Sequence, residues 1–249
     1  MFTSNSLLED EVSDVRIGIG CGTDKGYVES SVRAVNGKNI IIYDDPKKMI
    51  DDLYAGKLDA AVRGDMSSSK LLPFLKEEAG VDSLERLVLL EPLNSKLIFL
   101  APVGIDEGWT VEQKFDMAKR SLALMKRLGA GQRVAVMSGG RNEDKGRCPA
   151  VDKTIDDANI LVKMLTDAGY DAYNAQILIE NAVDDADLII APDGIAGNLI
   201  FRVLHFIGEA KALGAPVLNI DKIFVDTSRV KNNYVDSIML AQRLTEERR

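Results

Sequence analysis

Histidine is almost missing from this sequence: His205 is the single one in 249 residues. A histidine metal site or a Ser-His-Asp triad would rest on that residue alone. It lies in FRVLHFIGEAK with Leu204 and Phe206 at helical spacing, and is read as structural, so no metal is expected. Any catalysis then falls to Ser, Arg, Lys, Asp, Asn and backbone amides. Cysteine is scarce too. Cys21 and Cys148 lie far apart without a CxxC partner, which leaves a disulfide framework or zinc centre unsupported and favours two reduced thiols in the cytoplasm. No apolar run reaches the ~18 residues of a membrane span. The start, MFTSNSLLEDEVSD, is polar and acidic, unlike a signal or basic transit peptide. Positive charge is outnumbered, 31 Lys and Arg against 39 Asp and Glu, for a net charge of −8. That argues against a general nucleic-acid binder, whose footprint is basic. It leaves room for a small anionic ligand, because a local pocket can oppose the overall sign.

What is present is alternation. Apolar runs VRIGIG (15–20), NIIIYD (39–44) and LDAAVRG (58–64) read as strands, each followed by a polar turn and a helical pattern. RLVLLEP (86–92) and SKLIFLAPVG (95–104) read as neighbouring strands. The longest helical pattern is TVEQKFDMAKRSLALMKRLGAG (110–131), then a buried strand RVAVMSGG (133–140) and a helix over 152–170 with an acidic start. Residues 187–214 read as strand, turn and helix, 215–229 as largely extended, and 234–249 as a closing helix. Strands separated by helices of this length predict parallel sheets with βαβ crossovers. Polar turns collect after the strands, where open α/β sheets place their ligands.

Each polar turn has two readings. GIGCGTDKG contains GxGxG at 18–22 but not the full dinucleotide spacing, so a tight strand-to-helix turn is preferred and no cofactor is expected. RGDMSSSK puts Ser67, Ser68, Ser69 and Lys70 at a helix start, either an anion site or a capped first turn. In MSGGRNEDKGR, Ser138, Gly139 and Gly140 let backbone approach a ligand beside Arg141, or form a surface loop. DLIIAPDGIAGNLIFRVL holds Asp193, Gly194, Gly197 and Asn198 between two apolar elements, as punctuation or as the floor of a site. VDTSRVKNN presents Ser228 and Arg229, a pairing suited to phosphate or carboxylate.

Taken in order, RVAVMSGG, DADLIIAPDGIAGNLIFRVL, APVLNIDKIFVDTSR and LDAAVRGDMSSSKLLPFL resemble the phosphate acetyltransferase and butyryltransferase superfamily over about residues 15–244. Within it, the PDGIAGNLIFR wording is most similar to the MtxX subfamily of methanogens, also called methanogenesis marker protein four, which is labelled a methyltransferase subunit. The resemblance implies a two-domain isocitrate/isopropylmalate-dehydrogenase-like α/β fold with an interdomain cleft. Residues 1–90 plus 218–249 would form the first domain, 91–217 the second. It also implies a homodimer formed through the second domain. By that match Ser228 and Arg229 are the catalytic pair. Ser67–Ser69, Lys70, Ser138, Gly139, Gly140, Arg141, Asp193, Gly194, Gly197 and Asn198 line the ligand.

Two arginines of the superfamily pattern are missing here, one from the segment shortened to a single helix between 39 and 64, the other after SSS, where only Lys70 stands nearby. A charge-assisted hydrogen bond contributes about 1.5–3 kcal/mol, so two lost clamps weaken phosphate or CoA binding by roughly a hundredfold or more. Three functions follow as expectations. The first is an acyltransferase-like enzyme binding phosphate, acyl phosphate or a CoA-like ligand. The second is a component of a methanogen methyltransferase system, with methyl carried by a pterin or corrinoid on partner subunits. The third is a non-catalytic binding or regulatory homologue.

Overall fold

Short apolar runs flanked by capped helices give the chain its repeating step. In the computed structural model, which describes residues 1–8, 14–35, 39–228 and 231–248, these steps gather into two units. One is Ser4–Leu84 with Leu213–Arg249, the other Met1–Thr3 with Glu85–Ala212. They are called the first and second unit below.

The first unit opens with α1 (Ser4–Leu8), β1 (Ile17–Gly20), α2 (Lys25–Ala34), β2 (Ile40–Tyr43), α3 (Pro46–Tyr54), β3 (Ala60–Val62) and α4 (Ser68–Ala79). Helix α3 begins where the sequence signals it. The Asp45 carboxylate accepts from the amides of Lys47 and Lys48 at 2.9 and 3.2 Å, and Pro46 occupies the first turn, where no amide is needed. Its apolar face, with Met49, Ile50 and Leu53, packs with Leu71 and Leu75 of α4 in one buried cluster.

The second unit contains β4 (Val88–Glu91), β5 (Ile98–Ala101), α5 (Val111–Arg127), β6 (Val134–Met137), α6 (Pro149–Asp167), β7 (Ala172–Gln176), α7 (Ile179–Asp185), β8 (Leu188–Ile190) and α8 (Gly194–Arg202). Helix α5 starts with a reciprocal cap between Thr110 and Gln113. The chain returns to the first unit through β9 (Lys211–Pro216), then β10 (Ile223–Asp226) and α9 (Val235–Glu246).

Within the first unit, strands run in the order β2-β1-β3-β10-β9, parallel except for β9, with Ile17 beside both Ile40 and Ala60, and Ala60 beside Ile223. Within the second unit the order is β4-β5-β8-β6-β7. Its strands are parallel apart from the β4–β5 hairpin. Central strands are buried on both faces, which is why they read as continuous apolar runs rather than alternating ones.

Two stretches differ from the sequence reading. Helix α8 stops at Arg202, a π-helical turn covers Val203–Ile207, and the run expected to continue the helix to 214 is strand β9. Glu209, at φ 56°, breaks the helix, and the buried Ala212–Pro216 stretch takes its place in the sheet. Strand β7 and helix α7 were not expected, because AYNAQ is only half-buried and shows no apolar alternation. Among the described residues no helix is long and apolar enough to cross a membrane.

Candidate functional site

In the first unit, β3 and β10 run side by side with Val62 beside Val225, so the segments after them leave the sheet together. One is Arg63–Ser69, the other Asp226–Ser228. Both ends are locked from below. The Arg63 guanidinium is buried, paired through Nε with Asp226, and donates from Nη1 to the Met66 carbonyl at 2.7 Å. Thr227 Oγ1 donates to the Gly64 carbonyl at 2.6 Å. Gly64 is at φ 61° with Gly20 O only 1.8 Å from where a Cβ would stand, so no other residue fits this crossing.

Asp65 explains the glycine-rich loop after β1. Its carboxylate accepts from the amides of Gly22, Thr23 and Asp24 at 2.5, 2.7 and 2.7 Å. Burial alone raises this carboxyl's pKa, but the three amides outweigh burial and hold it below the usual range. Asp24 in turn caps α2 through the amides of Gly26 and Tyr27. The amides that would cradle a dinucleotide phosphate in GCGTDKG are thus occupied by the chain's own carboxylates. Beside them lie Cys21, whose thiol pKa is raised by burial and by Asp65, and Tyr234, fully buried with its hydroxyl unpartnered.

Above this floor stand the residues singled out from sequence. Ser67 precedes α4 in extended conformation but makes no side-chain cap, its Oγ lying 2.8 Å from Ser69 Oγ. The opening amides of α4 are therefore not capped by a side chain, and the helix presents its positive end there. Ser68 is half-buried, while Ser69 and Lys70 are exposed. Among the described residues Lys70 makes no ion pair. Ser228 is half-buried; its carbonyl accepts from Lys231 N at 3.2 Å and its hydroxyl has no partner among the described residues. Arg229 lies outside the described residues. Ser67–Ser69 and Ser228 thus share one strand edge.

In the second unit the loops after β5, β6 and β8 meet in the same way, since β8 lies between the other two strands. Ser138 is buried and donates from Oγ to Gly140 O at 2.8 Å; Gly139 N donates to Thr154 Oγ1 at 2.8 Å. A Cβ on Gly140 would stand 2.6 Å from Val151. The Arg141 guanidinium is exposed and makes no ion pair among the described residues. Asp193 caps α8, accepting from Ala196 N at 2.8 Å, and Asn198 Nδ2 donates to Val103 O at 2.9 Å. The two glycines between them face backbone: a Cβ on Gly194 would stand 1.5 Å from Gly104 O, and one on Gly197 1.8 Å from Pro102 O. The turn's glycines admit the loop that follows β5. Its Asp and Asn side chains pin the helix start.

Three residues that hold these edges were not among the candidates. Arg63 had a readable signal, a charge at the end of an apolar strand. Asp65 followed it in RGD without distinction. Lys114 sits in an ordinary amphipathic pattern, yet it is buried and donates to Pro192 O at 2.9 Å. His205 packs against Phe201 and places Nδ1 2.8 Å from Ala210 O.

No family model matches the chain. Its fold is that of a phosphotransacetylase from Streptococcus pyogenes, with a TM-score of 0.74 over 97% of this chain and 98% of that one at 14% identity. A 4-hydroxythreonine-4-phosphate dehydrogenase from Klebsiella pneumoniae follows the same path, with a TM-score of 0.66 over 93% and 100% at 10% identity. The chain is therefore of the phosphotransacylase and PdxA-type dehydrogenase fold class, as the motif order implied.

Sequence similarity is narrower. The chain is 43% identical over 210 residues, 84% of its length and 75% of the relative's, to "Putative methyltransferase mtx subunit X" of Methanosarcina mazei. It is 35% identical over 227 residues, 88% and 92% of the two lengths, to an uncharacterized methyltransferase of Methanocaldococcus jannaschii. The chain belongs to the mtx subunit X family.

Proposed function

We propose that the protein binds a small anionic ligand, a phosphate, acyl phosphate or CoA-like compound, and that it acts as an acyltransferase-like enzyme. The observation carrying this reading is the edge of β3 and β10, where the uncapped start of α4, the hydroxyls of Ser67–Ser69, the unpaired Lys70 and the unpartnered Ser228 hydroxyl lie together. Each is a donor or positive charge, and the buried carboxylates nearby are already engaged. A phosphate or acyl oxygen receives hydrogen bonds from the opening amides of α4 and from the Ser228 hydroxyl, while Ser67 and Ser69 are already hydrogen-bonded to each other. In the reaction a CoA thiolate attacks the acyl carbon of an acyl phosphate, the C–O bond to phosphate breaks, and inorganic phosphate leaves. Ser228 and Arg229 hold the leaving phosphate and the acyl oxygen as charge develops on it. In the second unit, the 138–141 loop and the 193–198 turn, with the exposed Arg141, form a separate candidate contact for an anionic group.

The test is incubation with acetyl phosphate and CoA, following thioester formation. Turnover above a Ser228→Ala control supports the reading, and none overturns its catalytic half. Thermal shift with inorganic phosphate and acetyl phosphate tests the binding half, since a ligand at 100 times its Kd adds about 2.7 kcal/mol. No shift with any of these anions favours a non-catalytic homologue without an anion site.

A second reading, a component of a methyltransferase system, is favoured by the name that the Methanosarcina relatives carry. Co-purification from a methanogen with a corrinoid- or pterin-bearing subunit tests it. We also propose a cytoplasmic homodimer. Ile195, Leu199 and Val203 recur every four residues on α8 and its π-turn, with Phe206 and Ile207 beyond, all exposed. This stripe offers about 500 Å² of apolar surface, and two-fold pairing would bury about 1,000 Å², the lower bound for a specific interface.

A further inference from the structure

Lys114 is the one lysine buried within the second unit that no surface role explains. Its side chain is 5% exposed, on α5, and its ammonium faces two places. It donates to the carbonyl of Pro192, the residue before the α8 cap Asp193, at 2.9 Å, and it lies 3.6 Å from the Asp157 carboxylate on α6. One turn before Asp157 on the same helix, Thr154 receives the amide of Gly139. The two polar segments singled out in this unit, 138–141 and 193–198, therefore connect through α6 and Lys114 while neither contains it.

Stability does not require a lysine here. Burying an ammonium is costly, and burial, aided by the neighbouring Lys153 charge, lowers this group's pKa against the pull of Asp157 and Asp193. Asp157 already has a closer partner, Lys153 at 2.6 Å, so removing Lys114 strands no carboxylate. An apolar side chain of similar length would fill the space without that cost. What it could not do is hold the Pro192 carbonyl.

We infer that Lys114 is a positioning residue: it ties the carbonyl ahead of α8 to the helix that anchors Gly139, and so sets the spacing of the 138–141 loop and the 193–198 turn around an anionic ligand. The ligand half of this statement rests on the function proposed above; the tie itself does not. Among the groups facing the ammonium, Asp193 caps α8 and Asp157 is shared with Lys153, so the charges balance pairwise. Lys114 therefore acts through geometry rather than as an added cation.

Amide hydrogen exchange on the full-length chain, without ligand, tests the tie. Lys114→Met is expected to speed exchange at Gly139 and at 194–198 together by about tenfold or more, while Lys114→Arg and Lys153→Met stay within about threefold of the wild type. Faster exchange in only one segment, or the same effect from Lys153→Met, overturns the inference. Should Lys114→Met not fold, Asp157→Asn cuts the tie from its other end and is read by the same criterion. Titration with acetyl phosphate separates the two claims. If the wild type binds, Lys114→Met should bind about tenfold or more weakly and Lys114→Arg should recover most of the loss; equal binding by Lys114→Met overturns the positioning role. If the wild type does not bind while the exchange result holds, the tie stands and the proposed function falls.

Discussion

Replacing Gly197 by alanine asks whether PDGIAGN is glycine-rich for a ligand or for the chain's own backbone. The obstacles, Pro102 O at 1.8 Å for this residue and Gly104 O at 1.5 Å for Gly194, are main-chain atoms, so no rotamer change removes them. Reaching ordinary contact requires α8 and the loop after β5 to part by about 1.5 Å. Overpacking of this kind costs about 1–3 kcal/mol. Parting the two segments also breaks the Asn198–Val103 hydrogen bond, about 1 kcal/mol more. The better helix propensity of alanine returns about 1 kcal/mol at most. A net loss of roughly 1–3 kcal/mol corresponds to a Tm lower by about 2–12 °C for a chain of this size. Trp109 is the one tryptophan and lies half-exposed on the segment between β5 and α5, so urea unfolding followed by its fluorescence reads the affected region. Gly56 is the control: at φ 72° with nothing within 4 Å, its alanine variant carries only the left-handed backbone cost of about 1 kcal/mol. A Gly197→Ala protein within about 0.5 kcal/mol of the wild type, in the absence of any ligand, would refute the reasoning.

Asp65→Ala takes the charged acceptor from the amides of three exposed residues, Gly22, Thr23 and Asp24, and should cost about 1.5–3 kcal/mol at pH 7. Because the folded carboxyl titrates below its unfolded value, this stabilisation is complete above about pH 4 and is lost as pH falls through the folded pKa. Denaturation curves of wild type and variant should therefore converge in acid, and a gap unchanged down to pH 3 would count against the amide nest. Arg63→Ala breaks the buried pair with Asp226 and the bond to Met66 O and should cost about 3–5 kcal/mol; a variant within about 1 kcal/mol of the wild type contradicts this. Leu199→Asp places a charge in the exposed α8 stripe and should shift sedimentation from dimer to monomer. A wild-type chain that stays monomeric at all concentrations removes the proposed dimer.

The sequence was most readable where one principle decides the outcome. The helical pattern over 110–131 is an example: the structure begins α5 at Val111, after the Thr110 cap. Strand β7 escaped because an edge strand needs apolar residues on only part of its surface, and AYNAQ carries none of the usual alternation. The end of α8 escaped because VLHFIGEAKALG looks helical until ALGAP is claimed by the sheet. The candidate residues were legible as polar turns after apolar strands. What each side chain is engaged in was not: Ser67 with Ser69, Ser138 with Gly140 O, Asp193 with Ala196 N.

Local order settled the class of this protein. Apolar period, caps and turn motifs act over a few residues, so the βαβ rhythm, the scarcity of histidine and cysteine and the family wording could all be read along the chain. Partnership at a distance was decided by the tertiary structure alone. The glycine-rich loop after β1 looks like an anion cradle until Asp65, some forty residues on, is found filling it. The glycines of PDGIAGN look like room for a ligand until the carbonyls of Pro102 and Gly104 are found against them. Lys114 looks like any helix-surface lysine until Pro192, 78 residues on, meets its ammonium. Such contacts depend on which strands become neighbours in the sheet, a global choice made by burying every apolar run at once, and no short stretch of sequence carries it.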